Sequence, residues 1–328
     1  MTDPRVLVTG ATGLVGSAIV RALVGRKRPV RVLARDPERA RVLFGPSVDV
    51  ATGDLRHPGS LYPACEGIEE IYHVAGVVDT HTHGGAEILD TNVEGTGRLL
   101  RAAHATGVSR FVYTSSVSVY GDRLPLGVAE DAPFNPAGIY GMSKVRAERL
   151  VQEAGAAGLH AVIVRPCIVY GPGDRYFLPQ AVHVMRLPVL PLPDGGRHVV
   201  DMVHADDLAV AQLLAMEAGQ PGGVYNVTDG RCYQAGDLIC WMAEALNRSP
   251  WHPPIPWWFA VSVRPLINIG GRLWRRPDLA HLGRQELNGV FSDYHFDISK
   301  ITALGYAPRI DARTGLRCEV RGCAGSLL

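Results

Sequence analysis

A doubly wound α/β fold is predicted: a parallel sheet with helices on both faces, followed by a smaller, irregular C-terminal lobe. Two observations predict it. Short apolar strands alternate with segments of helical period from the first residues onward, the pattern of βαβ units. After Pro166 that alternation breaks into proline-rich stretches, Pro172 to Pro193 and Pro250 to Pro256, with no internal repeat or low-complexity segment. The core is therefore expected over residues 1–166, with a return around 200–228. The lobe and its C-terminal cover are expected mainly over 167–328.

Each element has a local reason. Arg5 to Val8 is an apolar strand that runs through Gly10-Ala11-Thr12-Gly13-Leu14-Val15-Gly16 into a helix from Leu14 to Leu23. A glycine-rich strand-to-helix turn lets backbone N–H groups cradle a dinucleotide pyrophosphate at a helix N-terminus. Val30 to Leu33 and Val48 to Ala51 are the next strands. Between them, Asp36-Pro37-Glu38 starts a helix with a capping carboxylate before a proline at the first helical position. Further strands are Glu70 to Val74, Arg110 to Thr114 and Ala161 to Arg165. The helix between the last two carries Tyr140 and Lys144, and their four-residue spacing stacks both on one face. A phenol ordinarily ionises near pH ~10, and an adjacent ammonium favours the phenolate, so the pair is a candidate acid/base with a lowered tyrosine pKa. A dinucleotide turn and an acid/base in one chain point to hydride transfer.

Composition narrows the remaining choices. The 328 residues, 47% of them apolar, suffice for a large core. A net charge of +1, with no basic stripe interleaved with aromatics, argues against a nucleic-acid partner and for a small-molecule one. Cysteines 65, 167, 232, 240, 318 and 323 show no CxxC spacing and read as free thiols in a reducing compartment. No leader pattern precedes Arg5, so a cytoplasmic location is expected. Residues 255–274 are apolar and aromatic but interrupted by Arg264, Pro265, Asn268 and Arg272, which makes a poor transmembrane span. A helical cover over a substrate pocket is the favoured reading, with weak peripheral membrane contact as the alternative. His81-Thr82-His83 offers two imidazoles but no third ligand at zinc-like spacing, so no metal is expected.

The motifs together resemble the extended short-chain dehydrogenase/reductases. Gly10, Gly13 and Gly16 match that family's GxxGxxG. Gly53-Asp54-Leu55, His73-Val74-Ala75-Gly76, Asn92-Val93-Glu94-Gly95-Thr96 and Tyr113-Thr114-Ser115-Ser116 leading to Val119-Tyr120-Gly121 follow in order. So do Arg165-Pro166 leading to Val169-Tyr170-Gly171-Pro172, Val203-His204-Ala205-Asp206-Asp207-Leu208, and Phe296-Asp297 to Leu304-Gly305-Tyr306. The likeness spans nearly the whole chain and implies a Rossmann core that binds NAD(P).

The resemblance also implies roles. Ser116 is the catalytic serine, with Ser115 and Thr114 as alternatives, and it acts beside Tyr140, Lys144 and Asn92. Lys144 is expected to bind the nicotinamide ribose as well as to lower the Tyr140 pKa. Cofactor contacts fall on Gly10, Thr12, Gly13, Leu14, Val15 and Gly16, and on Asp54 and Leu55 near the adenine. Val74, Ala75, Gly76, Thr114 and Pro166 continue them past the strand ends. The second strand ends Ala34-Arg35-Asp36, with Ala34 where related epimerases carry an acidic residue. Arg35, joined by Arg39, then suits a 2′-phosphate, so NADP(H) is preferred and NAD(H) is the alternative. Val200 stands where nucleotide-sugar enzymes of the family hold an arginine, which favours an apolar ketone or secondary alcohol, steroid-like or polyketide-like. His81, Ser118, Tyr176 and Trp257 are the candidate substrate contacts. A nucleotide-sugar epimerase/dehydratase and a non-catalytic NAD(P)-binding sensor are the rival readings. By analogy, a homodimer through the helix carrying Tyr140 and the one after Asn92 is expected.

Overall fold

The computed structural model describes residues 5–78, 84–122, 124–185, 190, 192–249, 251–256, 258–259, 261–263, 265 and 292–326. Six strands open the chain: β1 (Val6–Thr9), β2 (Val30–Ala34), β3 (Asp49–Thr52), β4 (Glu70–His73), β5 (Arg110–Thr114) and β6 (His160–Pro166). Four short ones follow, β7 (Ile168–Tyr170), β8 (Leu192–Pro193), β9 (Val199–Val200) and β10 (Met202–His204). Then come β11 (Val224–Val227), β12 (Tyr233–Gln234) and β13 (Pro254–Ile255). The first six and β11 form one parallel sheet in the order β11-β6-β5-β4-β1-β2-β3. The chain winds outward through β2 and β3, then crosses back to β4 and winds the other way. Such a reversal opens a crevice beyond the carboxyl ends of β1 and β4, where ligands bind in folds of this kind.

The helices are α1 (Leu14–Gly25), α2 (Pro37–Phe44), α3 (Leu61–Cys65), α4 (Gly85–Leu89), α5 (Gly95–Thr106) and α6 (Gly138–Ala156). They continue with α7 (Phe177–Met185), α8 (Ala205–Ala218), α9 (Ala235–Ala245), α10 (Ser299–Ala303) and α11 (Ala312–Ser326). Strand alternation sends Val6 and Val8 to one face of the sheet, beneath Ile19 and Leu23 of α1 and Leu208 and Leu213 of α8. Leu7 faces the other side, with Leu61, Leu99 and Val151 of α3, α5 and α6. Each such side chain removed from water contributes about 1.5–3 kcal/mol, which fixes both layers on the sheet.

A third apolar cluster forms the lobe, where Tyr170 and Met202 pack with Val182 of α7, Leu238 of α9 and Leu316 of α11. The remaining short strands pair there as three two-stranded sheets, β10-β7, β12-β9 and β13-β8. The sequence reading assigns no strand to Val224–Val227, a run of only four residues that follows Gly222-Gly223. Pairing with β6 makes it the seventh strand.

Candidate active site

The glycine turn is built for close approach. Gly10 has φ +67°, and a methyl group placed on it would lie 2.7 Å from the Ala75 nitrogen. One on Gly16 would sit 2.2 Å from the Gly10 carbonyl oxygen, so only glycine lets α1 start this near the strand. Gly13 caps α1 with extended backbone and no side-chain bond, and the first turn holds no acidic residue. Its N–H groups therefore meet the crevice without a competing carboxylate, which fits a pyrophosphate.

Residues 74–77 lie across from that turn on a buried polar network. Thr96 Oγ1 donates to the Asn92 carbonyl at 2.7 Å and so accepts from His73 Nε2 at 2.9 Å. His73 Nδ1 then accepts from Thr9 Oγ1 at 2.7 Å, and that oxygen accepts the Val74 and Ala75 N–H groups, both at 3.2 Å. Complete burial, helped by Lys144, pushes the His73 pKa down to about 3, so the ring stays neutral as the network requires. These bonds end β4 at His73, one residue earlier than the sequence suggests. Asn92 lies in a π-helical turn, Asp90–Glu94. Its Oδ1 accepts from Val77 N at 2.7 Å, and its Nδ2 donates to Val77 O at 2.9 Å and to Ser143 Oγ at 3.0 Å. Every polar atom of that side chain is thus engaged in clamping the 77 loop to α6.

Tyr140, Lys144 and Ser116 gather beside this loop. Lys144 Nζ donates to the Thr114 carbonyl at 2.9 Å and lies 5.9 Å from the Tyr140 ring centre. A methyl group on Gly76 would be 3.6 Å from that Nζ. Residues 74–76 therefore touch the glycine turn through Gly10 and the acid/base through Gly76, so the two halves of the site share one crevice. Ser116 caps the short turn after β5 by accepting from Ser118 N at 3.2 Å, and its hydroxyl is near enough to Tyr140 to favour the phenolate. The alternatives are occupied: Ser115 Oγ donates to Glu148 Oε1 at 2.5 Å, and Thr114 Oγ1 accepts from Gln212 Nε2 at 2.8 Å.

The lowered tyrosine pKa expected from Lys144 is not what the surroundings produce. Burial raises the Tyr140 phenol to about 12, against a pull downward from the Ser116 hydrogen bond. Burial also brings Lys144 down to about 8, with Glu148 one turn away opposing it. Desolvation outweighs the Ser116 hydrogen bond at Tyr140 and the Glu148 charge at Lys144.

At the far end of the crevice Asp36 accepts from Arg39 N at 3.1 Å and caps α2, with Pro37 in its first turn. Arg35 is exposed just beyond β2. Among the described residues no hydrogen bond or ion pair holds the Arg35 or Arg39 guanidinium. Burial opposes the charge of Asp54, but Arg56, donating from Nε and Nη2 at 3.2 and 2.8 Å, holds its carboxyl below the usual range. The field of Arg35 also reaches Asp54, so both lie at one end of the crevice.

The profile of the NAD dependent epimerase/dehydratase family matches residues 6–228. The chain belongs to that family. It is 31% identical over 274 residues to a 4-hydroxy-2-methyl-3-oxo-4-farnesyl-3,4-dihydroquinoline-1-oxide ketoreductase of Stigmatella aurantiaca, covering 83% of this chain and 81% of the relative. It is 33% identical to a 3 beta-hydroxysteroid dehydrogenase/Delta 5-->4-isomerase of Mycobacterium tuberculosis (strain ATCC 25618 / H37Rv), covering 95% and 88%. Among solved structures, MoeE5 in complex with UDP-glucose and NAD superposes with a TM-score of 0.78 at 27% identity, covering 99% and 100%. The protein is thus an NAD(P)-dependent oxidoreductase of the extended short-chain type, with ketoreductase and hydroxysteroid dehydrogenase relatives.

As in sequence, Leu55 and Pro166 flank the core, both buried, Leu55 against Gly95. Ser118 keeps a buried hydroxyl without a protein partner. Tyr176 is 49% exposed at the start of α7, whose first N–H groups are capped by Asp174. His81, with the metal reading of His81 and His83, and Trp257 lie outside the described residues, as does most of 255–274. Trp258 and Phe259 within that stretch are exposed, and among the described residues no helix is long and apolar enough to cross a membrane.

The sequence reading gave no role to His73, Glu148 or Arg165 as site supports. Arg165, 2% exposed, donates from Nε and Nη2 to the two Glu148 oxygens at 2.9 and 2.6 Å, and from Nη1 to Tyr120 Oη at 2.7 Å. This pair stands behind Lys144 and Ser115. Glu148 is four residues beyond Lys144, the same helical spacing that singled out Tyr140, and that repeat was the available signal.

Proposed function

We propose that the protein is an NADP(H)-preferring reductase that interconverts a ketone and a secondary alcohol on an apolar small molecule. The observation that carries this reading is the meeting, at residues 74–76, of the glycine turn with Tyr140, Lys144 and Ser116. A nicotinamide held in the crevice supplies the hydride. Ser116 donates a hydrogen bond to the substrate carbonyl oxygen, and Tyr140 delivers the proton as negative charge develops there. Lys144 binds the ribose, and Asn92 acts as a positioning residue for the loop beneath it.

Arg35 and Arg39 grip the 2′-phosphate, since Asp36 is committed to capping α2. Asp54 and Leu55 face the adenine end. Ser118 and Tyr176, with His81 and Trp257, contact the substrate, and the orphaned Ser118 hydroxyl supports its share of that role. A cytoplasmic homodimer is the accompanying proposal. The nucleotide-sugar reading draws on structural neighbours such as MoeE5, but Val200, half-buried and paired with Tyr233, offers no cation for a diphosphate. The test is to follow reduced-nicotinamide absorbance with NADPH and NADH against apolar ketones, and to incubate sugar nucleotides in parallel. Net oxidation of NADPH by a ketone supports the proposal. Interconversion of sugar nucleotides without net turnover overturns it in favour of an epimerase, and binding with neither leaves a sensor.

A further inference from the structure

Asp201, Cys232 and His295, far apart in the sequence, converge where the C-terminal segment returns to the lobe. Their ligand atoms all lie within 4.8 Å of one another. His295 Nδ1 is 3.0 and 3.1 Å from the two Asp201 oxygens and 3.2 Å from Cys232 Sγ. Both neighbours meet the same ring nitrogen, so the imidazole cannot relay a proton between them as it does in a nucleophilic triad, where each partner takes a different nitrogen.

Hydrogen bonding alone also fits poorly. If Nδ1 carries the proton it serves Asp201, and Cys232 is left facing a donor already in use. If the thiol donates to Nδ1, the carboxylate faces a lone pair. Asp201 is fully buried, and apart from the ring its side chain is bonded to Phe296 N at 2.9 Å. No Lys or Arg among the described residues pairs with it. Its ion-pair partner among the described residues is His295, which is charged only when protonated, so a bound cation would compensate the buried carboxylate while leaving the imidazole neutral. A thiolate, an imidazole and a carboxylate converging on one point are donors for a borderline-soft divalent metal, and zinc accepts all three types.

We propose that Asp201, Cys232 and His295 form a binding site for Zn²⁺ or a similar divalent transition metal, with a fourth position open toward solvent on the exposed Cys232 side. Bound there, the ion ties the 292–297 segment to the lobe. That segment is already held by Asp201 N donating to Tyr294 O at 2.9 Å and by Gly127 and Val128 N donating to His295 O at 3.0 Å. Chelation therefore costs little further ordering of the chain. The ligands come from three separate segments, which is why no spacing motif announces the site.

The test uses the full-length protein stripped with a chelator and titrated with Zn²⁺ or Co²⁺. One equivalent is expected to bind, Co²⁺ giving a thiolate-to-metal charge-transfer band and Zn²⁺ raising the melting temperature. Cys232→Ser, an exposed substitution that leaves the fold alone, is expected to remove the band and weaken Zn²⁺ binding by about tenfold or more. Cys318→Ser, at another exposed cysteine, is expected to change neither. The proposal is overturned if no stoichiometric ion binds, if the band survives Cys232→Ser, or if it disappears with Cys318→Ser.

Discussion

The crevice above β1 and β4 and the C-terminal lobe are held together differently. Around the crevice, Ser118 and Gln212 Oε1 apart, the buried polar groups form linked sets: Thr9, His73, Thr96 and Asn92 on one side, Ser115, Glu148, Arg165 and Tyr120 on the other. The lobe has its own apolar cluster but otherwise relies on two-residue strands and on single side chains reaching far along the chain. Asp207 Oδ2 takes the Arg309 and Ile310 N–H groups at 2.9 and 2.8 Å, and Trp251 and Trp258 stay exposed at its surface. Saturated networks admit one arrangement, because any shift leaves a buried group unpaired. A surface of short pairings tolerates variation.

The sharpest way to break this contrast is at Tyr140. Tyr140→Phe removes only the hydroxyl, so kcat/KM for ketone reduction is expected to fall by about 10²–10⁴-fold while cofactor affinity, measured by fluorescence titration, stays within about twofold. Retained turnover would remove the acid/base role. Next in size is Glu148→Gln. Leaving Arg165 buried with its charge uncompensated is expected to cost about 3–5 kcal/mol in denaturant unfolding. The same substitution has a second readout. Lys144 loses its charge as pH rises through about 8, and Glu148 holds that value up. The alkaline fall in activity expected near pH 8 should therefore move to lower pH in the variant. An unmoved profile would make Glu148 a purely structural residue.

The same contrast decides what the sequence could reveal. Gly10, Gly13, Gly16, Tyr140 and Lys144 stand in short spacings set by one turn or one helix, so their geometry is written locally and the crevice was legible. The strands β1 to β6 were legible because each is a short apolar run between turn residues. The fate of a charge was not. Whether Lys144 lowers the tyrosine depends on how much protein surrounds both, and burial by β5 and α6 reverses the expected sign. The Glu148–Arg165 pair joins α6 to β6, and Asp201, Cys232 and His295 are brought together only by tertiary structure. Only the i, i+4 step from Lys144 to Glu148 marks any of them in the sequence.

A smaller effect is expected at the cofactor's far end. Arg35→Ala is expected to weaken NADPH binding by about ten- to a hundredfold, the loss of a charge-assisted hydrogen bond, with NADH nearly unchanged. Equal losses for both would place Arg35 away from the 2′-phosphate and return the preference to NAD(H).

The smallest changes in stability are expected at the proposed substrate contacts, where two residues assigned the same role separate. Tyr176 is half exposed and its side chain makes no hydrogen bond among the described residues, so Tyr176→Ala should shift unfolding by no more than about 0.5 kcal/mol. Ser118 is the opposite case, a hydroxyl already buried without a partner. Removing an unsatisfied polar group deletes a desolvation cost rather than a bond, so Ser118→Ala is expected to be neutral or slightly stabilising. If both contact substrate, each variant raises KM for the ketone several-fold and leaves kcat near its original value, the signature of lost uniform binding. A Ser118→Ala variant that loses stability and keeps its KM would show that the hydroxyl belongs to the protein interior, and the substrate side of the crevice would then begin further out, at Tyr176.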